Sequence, residues 1–313
     1  VKISVIVTAY KRREYVRYAV QSLKEQSHAP DEVVLVTDEG FSVNDIDVKV
    51  IVSKDERAGA FMATGIVHTS GDVICFLDDD DMFSLEKLRT VKEVFGDSNV
   101  GFLYNSRVKI DEMGRVIGED VVESRRFKRK NRDEVCSMFK MKMFFNSSSM
   151  CIRREVVQSR LDDLSRITKL VDNYFLYSAI DSSFDVVSDS RPLTYYRVHR
   201  SSSRHVGHSK SETLKERGKY FQLASGDVPT TLSREEARMV ANCSSEMARL
   251  QWHLYLGEVN KRDLSRLAYV LSCCSFSAPS KAKISLGILL GLLAPSIGQE
   301  FAYLTTRREV PLF

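Results

Sequence analysis

Four consecutive carboxylates, Asp78, Asp79, Asp80 and Asp81, close the stretch Asp72-Val-Ile-Cys-Phe-Leu-Asp-Asp-Asp-Asp81. They repel one another, and no cation nearby in sequence offsets them. Carboxylate oxygens suit hard divalent ions, Mg2+ or Mn2+, and Mg2+ is commonly held by one or two carboxylates plus substrate phosphates. The apolar run Val73 to Leu77 that precedes them has the length of one buried strand. In open α/β sheets ligands bind beyond the carboxyl ends of the strands. Strand followed by carboxylates therefore reads as a metal-nucleotide site. The plainer reading is a solvated acidic turn before a helix, because Ser84-Leu-Glu-Lys opens a helical pattern.

Three other places carry polar groups at similar positions. Thr8-Ala-Tyr10 follows a first apolar strand, Asp38 follows a second, and Asp172 opens a helix in Val171-Asp-Asn-Tyr-Phe-Leu176. Asp38 also reads as a turn residue, and Asp172 also reads as a helix cap, a position that favours Asp.

The elements that position these groups alternate. Residues 2–8, 32–37, 48–53 and 73–77 are β-branched, apolar runs that suit strands buried on both faces. Residues 15–26, 59–69 and 84–95 have helical spacing. Strand–helix alternation predicts a parallel sheet built from right-handed crossovers. Further on, residues 100–104, 148–152, 184–188 and 193–198 read as strands, and residues 107–117 as a hairpin turning at Asp111-Glu-Met-Gly114. Residues 170–180 read as a helix, Arg125 to Arg132 as a basic loop, and everything from about Ser209 as helical. A Ser-, Arg- and His-rich stretch, Ser201 to His208, suggests a boundary, giving units of 1–204 and 205–313.

The 313 residues are 43% hydrophobic and 28% charged, which fits a soluble globular chain. A net charge of +4 is too slight to imply a nucleic-acid partner. The six cysteines show neither CxxC pairs nor metal-ligand spacing; Cys75 and Cys151 read as plain core residues, and a reduced, cytoplasmic setting is the default. The first residues read as a core strand, so no signal peptide is expected. No apolar run reaches 18 residues, which disfavours a membrane span.

Taken together, Ile3-Ser-Val-Ile-Val-Thr-Ala-Tyr10, Glu32-Val-Val-Leu-Val-Thr-Asp38, the run from Gly71 to Asp81 and Pro192-Leu-Thr-Tyr-Tyr-Arg-Val-His199 resemble glycosyltransferase family 2. These are inverting enzymes of the GT-A fold, a Rossmann-like α/β architecture with a mostly parallel sheet flanked by helices. The resemblance covers about the first two hundred residues and leaves a helical C-terminal region. It implies a nucleotide-sugar donor, with UDP favoured, and a hydroxyl acceptor on a glycan or lipid-linked glycan. Thr8, Ala9 and Tyr10 would line the nucleotide pocket, and Asp38 would accept the N3 proton of uracil or thymine. Asp78 and Asp80 form the DxD pattern; Asp80 would hold Mg2+ or Mn2+ with Asp78 beside it as a further metal candidate, and Asp78 or Asp79 would hold the ribose or a metal-bound water. Asp172 matches the catalytic base, and His199 could reach metal or diphosphate.

The chain also departs from the pattern. Thr37-Asp-Glu-Gly40 stands where most relatives have Asp-Asp-Gly-Ser, and Tyr10-Lys11 stands for the usual Tyr-Asn. Phe61-Met-Ala-Thr64 lacks the usual nucleotide-side Arg, for which Arg57 could substitute, and Val171-Asp172 replaces Glu-Asp. These changes put the donor base in question. A catalytically silent nucleotide-sugar-binding protein of the same fold is the alternative. A nucleotidyltransferase is disfavoured because residues 8–13 contain no glycine. Finally, the run Ile284 to Ala294 is strongly apolar, and Lys281 and Lys283 precede it. It is too short to span a bilayer and reads as a core helix, a homo-oligomer interface, or a helix lying at the cytoplasmic membrane face, with Arg125 to Arg132 as a second basic surface.

Overall fold

The computed structural model describes residues 1–11, 14–38, 48–199 and 209–307. The first half runs β1 (Ile3–Ala9), α1 (Val16–Lys24), β2 (Glu32–Thr37), β3 (Lys49–Val52), α2 (Ala58–Val67), β4 (Val73–Asp78), β5 (Met82–Phe83), α3 (Lys87–Phe95), β6 (Val100–Ile110), β7 (Val116–Asp120) and β8 (Arg125–Phe127). It continues through α4 (Arg132–Lys140), β9 (Met150–Arg153), α5 (Arg154–Val157), α6 (Leu161–Arg166), α7 (Val171–Asp181) and β10 (Asp185–Arg197). The remainder is helical: α8 (Lys210–Ser225), α9 (Glu235–Leu256), α10 (Arg262–Ser272), α11 (Ala278–Leu293) and α12 (Pro295–Arg307).

One sheet has the order β3-β2-β1-β4-β9-β6-β10-β5, with β7 added on β6 and β8 on β10. β3, β2, β1 and β4 are mutually parallel, as the alternation predicts. Beyond them the sheet is mixed, because β9 runs antiparallel to both β4 and β6. Successive side chains of a strand face opposite sides, so each run feeds two cores. Ile6, Val36, Ile74 and Phe76 pack on the side that holds Phe61 of α2 and Phe175 of α7. Val5, Val7, Leu35 and Leu77 pack on the side that holds Val16 and Val20 of α1 and Leu88 of α3. Gly59 lets α2 press on α6: a Cβ there would stand 1.9 Å from the Leu164 carbonyl oxygen. The two late strands expected at 184–188 and 193–198 are one strand, β10, whose register shifts on either side of Pro192. A proline in a strand is tolerated at such an irregularity.

Several expectations change. Cys75 and Cys151, opposite each other on β4 and β9, are joined by a disulfide rather than being separate core thiols. Cys136 of α4 is joined to Cys274, just after α10. Thiol titration of unreduced, denatured protein is therefore expected to find two free thiols per chain, Cys243 and Cys273; a count of six would contradict the pairing. Arg125 to Arg132 is not a free basic loop. Arg126 bridges Asp97 and Asp185, Phe127 is fully buried, and the Lys130 ammonium donates to the carbonyls of Ser182 and Phe184. The stretch is an edge strand and a helix lead-in, and Phe127 has no access to a membrane surface.

The helical region has a core of Phe221, Met247, Leu254, Val270, Ile284 and Ile288. It adjoins the sheet where α9 packs on α7. α11 divides the apolar tail: Ile284 and Ile288 are core, whereas Leu286, Leu289 and Leu293 are exposed. Among the described residues no helix is long and apolar enough to cross a membrane. The boundary expected at 201–208 lies outside the described residues.

Candidate active site

Parallel pairing sets which residues emerge together. In the register, Thr8 of β1 lies beside Asp78 of β4, and Ala9 lies beside Thr37 of β2. The strands end there, so Tyr10, Asp38 and the aspartates leave the sheet at one edge. The pairing extends one step beyond β4, where the Asp79 amide donates to the Thr8 carbonyl at 3.0 Å. Asp78 is held from two sides: its Oδ1 accepts from Thr8 Oγ1 at 3.3 Å and from Ser147 Oγ at 2.9 Å. Its amide donates to Ser148 Oγ at 3.0 Å.

Asp78, Asp80 and Asp81 each bring a carboxylate oxygen to within 4.8 Å of the others. An all-oxygen set of this kind fits a hard divalent cation such as Mg2+ or Mn2+. The members differ in role. Asp81 is fully buried, and burial first, then the charges of Asp80 and Asp78, pushes its carboxyl well above the usual range. Its two oxygens are used within the protein: Oδ1 accepts from the Arg197 amide at 2.9 Å, and Oδ2 from Asn146 Nδ2 at 2.7 Å. Asp81 thus ties the acidic turn to β10, leaving Asp78 and Asp80 as the pair best suited to a cation. Arg197 reinforces the tie, since Nε donates to the Asp80 carbonyl at 3.0 Å and the guanidinium lies 4.6 Å from the Tyr15 ring centroid. His199 is buried, with Nε2 2.8 Å from Asp80 Oδ2. It therefore orients the carboxylate expected to ligate metal.

Asp172 lies in the first turn of α7, whose N-cap position is Leu170 without a side-chain capping bond. Its Oδ2 accepts instead from the Asn146 amide at 3.0 Å. One residue, Asn146, therefore bridges the acidic turn through its side chain and Asp172 through its backbone. Asn146 adopts φ 73°, a left-handed conformation that asparagine enters more readily than most residues. It precedes the short 3-10 turn Ser147–Ser149 that supplies Ser147 and Ser148 to Asp78. Asn146 and Ser147 escape a reading based on charged side chains; the hint is the small polar run Asn146-Ser-Ser-Ser149 placed before a buried strand. Asn146→Ala is expected to lower turnover about 10- to 100-fold, the scale of leaving a buried acceptor unmatched. Asn146→Gly, which tolerates the positive φ, separates loss of the amide from backbone strain. Turnover within twofold of wild type in both variants would remove Asn146 from the site.

At the end of β1, Tyr10 meets Phe61 edge-on at 5.6 Å between ring centroids, and the Lys11 ammonium lies 4.7 Å from the Tyr10 ring. Asp38 is half-buried at the end of β2. Arg57 is engaged by Asp55, whose carboxyl that guanidinium holds down to about 2. A role for Arg57 on a nucleotide would require it to exchange that partner. Asp172 also lines a separate cavity of about 280 Å3 between the sheet and the helical region. None of Thr8, Tyr10, Asp38 or the four clustered aspartates lines it.

Comparisons place this architecture. Across 99% of the chain and 92% of its counterpart, the fold superposes on S. aureus TarS residues 1–349, solved in complex with UDP-GlcNAc, with a TM-score of 0.57 and 16% identity. That likeness is one of fold, α/β with a central sheet flanked by helices, as in GT-A glycosyltransferases. The chain is 24% identical over 213 residues to the putative glycosyltransferase EpsH of Bacillus subtilis, covering 64% of this chain and 62% of EpsH. It is 24% identical over 242 residues to the amylovoran biosynthesis glycosyltransferase AmsB of Erwinia amylovora, covering 68% of this chain and 76% of AmsB. The chain thus spans less than two thirds of the length of EpsH. The model of glycosyl transferase family 2 matches residues 4–161, half of the chain and all of the sheet edge from Thr8 to Asp81. The chain belongs to glycosyl transferase family 2.

Proposed function

We propose that the protein is a metal-dependent, inverting glycosyltransferase that moves a sugar from a nucleoside diphosphate sugar, UDP-linked by preference, to a hydroxyl of a glycan or lipid-linked glycan. The observation that carries this reading is the link through Asn146, which joins Asp81, the buried member of the acidic cluster at the strand edge, to Asp172. The UDP-GlcNAc complex of TarS and the glycosyltransferase names of EpsH and AmsB support the donor class and a role in polysaccharide biosynthesis.

In this reading Thr8, Ala9, Tyr10 and Asp38 hold the nucleoside. Asp79 faces the ribose, while Asp78 and Asp80, the latter braced by His199, would hold the cation. Bound Mg2+ or Mn2+ would supply charge neutralisation at the departing diphosphate. Asp172 accepts the proton of the acceptor hydroxyl. That oxygen bonds to the anomeric carbon as the bond to the diphosphate oxygen breaks, so configuration inverts in one displacement. The Asn146 bonds to Asp81 and Asp172 would hold the two carboxylate groups in register, so that acceptor and donor meet on opposite faces of the anomeric carbon.

A thermal-shift panel of UDP, GDP, TDP, CMP and ADP, with Mn2+ or with EDTA, tests the donor side. A ligand that binds only the native state raises the midpoint, and the stabilisation grows with the logarithm of its concentration over Kd. UDP with Mn2+ is expected to raise it most. No response to any nucleotide would overturn the reading. Binding without release of nucleoside diphosphate from UDP-sugars and any acceptor would favour the silent binding protein.

A further inference from the structure

The cavity beside Asp172 has a charge balance that the transfer chemistry does not require. Among the described residues five cations line it, Arg107, Lys109, Lys142, Lys169 and Arg217, against two carboxylates, Asp120 and Asp172. Asp120 is shared by Arg107 at 2.8 Å and Lys109 at 2.5 Å, and so is already occupied. Among the described residues, Lys142, Lys169 and Arg217 have no carboxylate within 4.0 Å. Arg217 is half-buried, and its Nε is buried without a hydrogen-bond partner among the described residues. Its guanidinium stands 5.3 Å from the Phe221 ring centroid. A buried guanidinium N–H without an acceptor is costly unless a ligand supplies one. Lys142 adds a second, independent oddity. It sits just beyond α4 at φ 56°, a position where glycine is usual, so a cation is held there at some backbone cost. Lys169 extends from the turn before α7, with its ammonium 5.9 Å from the Tyr220 ring. Asp172 contributes the opposite wall.

We propose that this cavity receives the acceptor through an anionic group, a phosphate ester or a carboxylate, carried close to the hydroxyl that Asp172 deprotonates. Arg217, Lys169 and Lys142 hold that group, and Arg217 fits it bidentately because its fork matches two oxygens of a carboxylate or phosphate. Arg107 and Lys109, which share the one carboxylate of Asp120, frame the pocket and add to its positive balance. The acceptor is thus an anionic glycan or polyol phosphate rather than a neutral one. The inference rests on the assignment of Asp172 to the acceptor side.

The test measures binding to the full chain by calorimetry, in low and in 0.5 M salt. The probes are a uronate oligosaccharide, a glycerol phosphate oligomer and a neutral oligosaccharide of matched length. The variants are Arg217→Gln and the double change Lys142→Met with Lys169→Met, the last two at exposed positions. UDP with Mn2+ is measured in parallel. Expected results are binding of at least one anionic probe, little binding of the neutral one, and weakening by added salt. Each variant should weaken the anionic probe about tenfold or more, the scale of a lost charge-assisted hydrogen bond, with UDP binding unchanged. Preference between the uronate and the phosphate identifies which anion is meant. Equal binding of the neutral probe, absence of binding by both anionic probes, or anion affinity unchanged in both variants would overturn the proposal. UDP binding to wild type reports separately on the donor side, so loss of the one reading is distinguishable from loss of the other.

Discussion

Asp80→Ala is expected to abolish sugar transfer, by on the order of a thousandfold or more, because charge stabilisation at the leaving diphosphate supplies several kcal/mol. Asp80 is buried and faces His199, while Asp78 and Asp81 crowd it with like charge. Removing one of three close carboxylates relieves repulsion, so the variant should fold and melt close to wild type. It should lose the extra stabilisation that Mn2+ adds to UDP binding. EDTA should reproduce the loss in the wild-type enzyme, with recovery on adding Mn2+ or Mg2+. Full activity of the variant, or of wild type in EDTA, would contradict the assignment of the aspartate cluster to a cation.

Asp172→Asn should reduce turnover about a hundredfold to ten-thousandfold, the usual scale of a general base. The asparagine side-chain oxygen can still accept from the Asn146 amide, so the local geometry survives while proton acceptance does not. UDP binding and the melting temperature should stay near the wild-type values. A melting temperature lowered by many degrees, with turnover per folded molecule unchanged, would instead assign Asp172 a purely structural role at the start of α7.

The sheet edge that gathers the candidate residues was legible in the sequence, for a physical reason. Strands buried on both faces are uninterrupted apolar runs, and a polar residue ending such a run marks the sheet edge. Thr8, Asp38 and Asp78 stand out in this way, and the parallel register brings Thr8 beside Asp78. The division of labour among the aspartates was not legible. Nothing in four adjacent Asp residues tells that Asp81 is spent on Asn146 and Arg197 while Asp80 faces His199. Asn146 was missed because its role depends on a left-handed backbone and on two bonds that span 65 and 26 residues. The cysteine pairs were missed for the same reason: Cys75 and Cys151 meet only through the antiparallel pairing of β4 with β9. The cavity beside Asp172 draws Lys142 and Lys169 from turns and Arg217 from α8, which no local motif connects. Periodicity reveals which face a residue takes, whereas these features depend on which distant element arrives opposite it.

The central claim is a single displacement between a donor held at the aspartate edge and an acceptor activated by Asp172. The most direct test is the anomeric configuration of the transferred sugar, read by proton NMR on product formed from an α-linked UDP-sugar, Mn2+ and an anionic acceptor. A β-linked product is expected from the first turnover, formed about a hundredfold or more slowly by Asp172→Asn. An α-linked product would require retention and would contradict the assignment of Asp172 as the base of an inverting transfer.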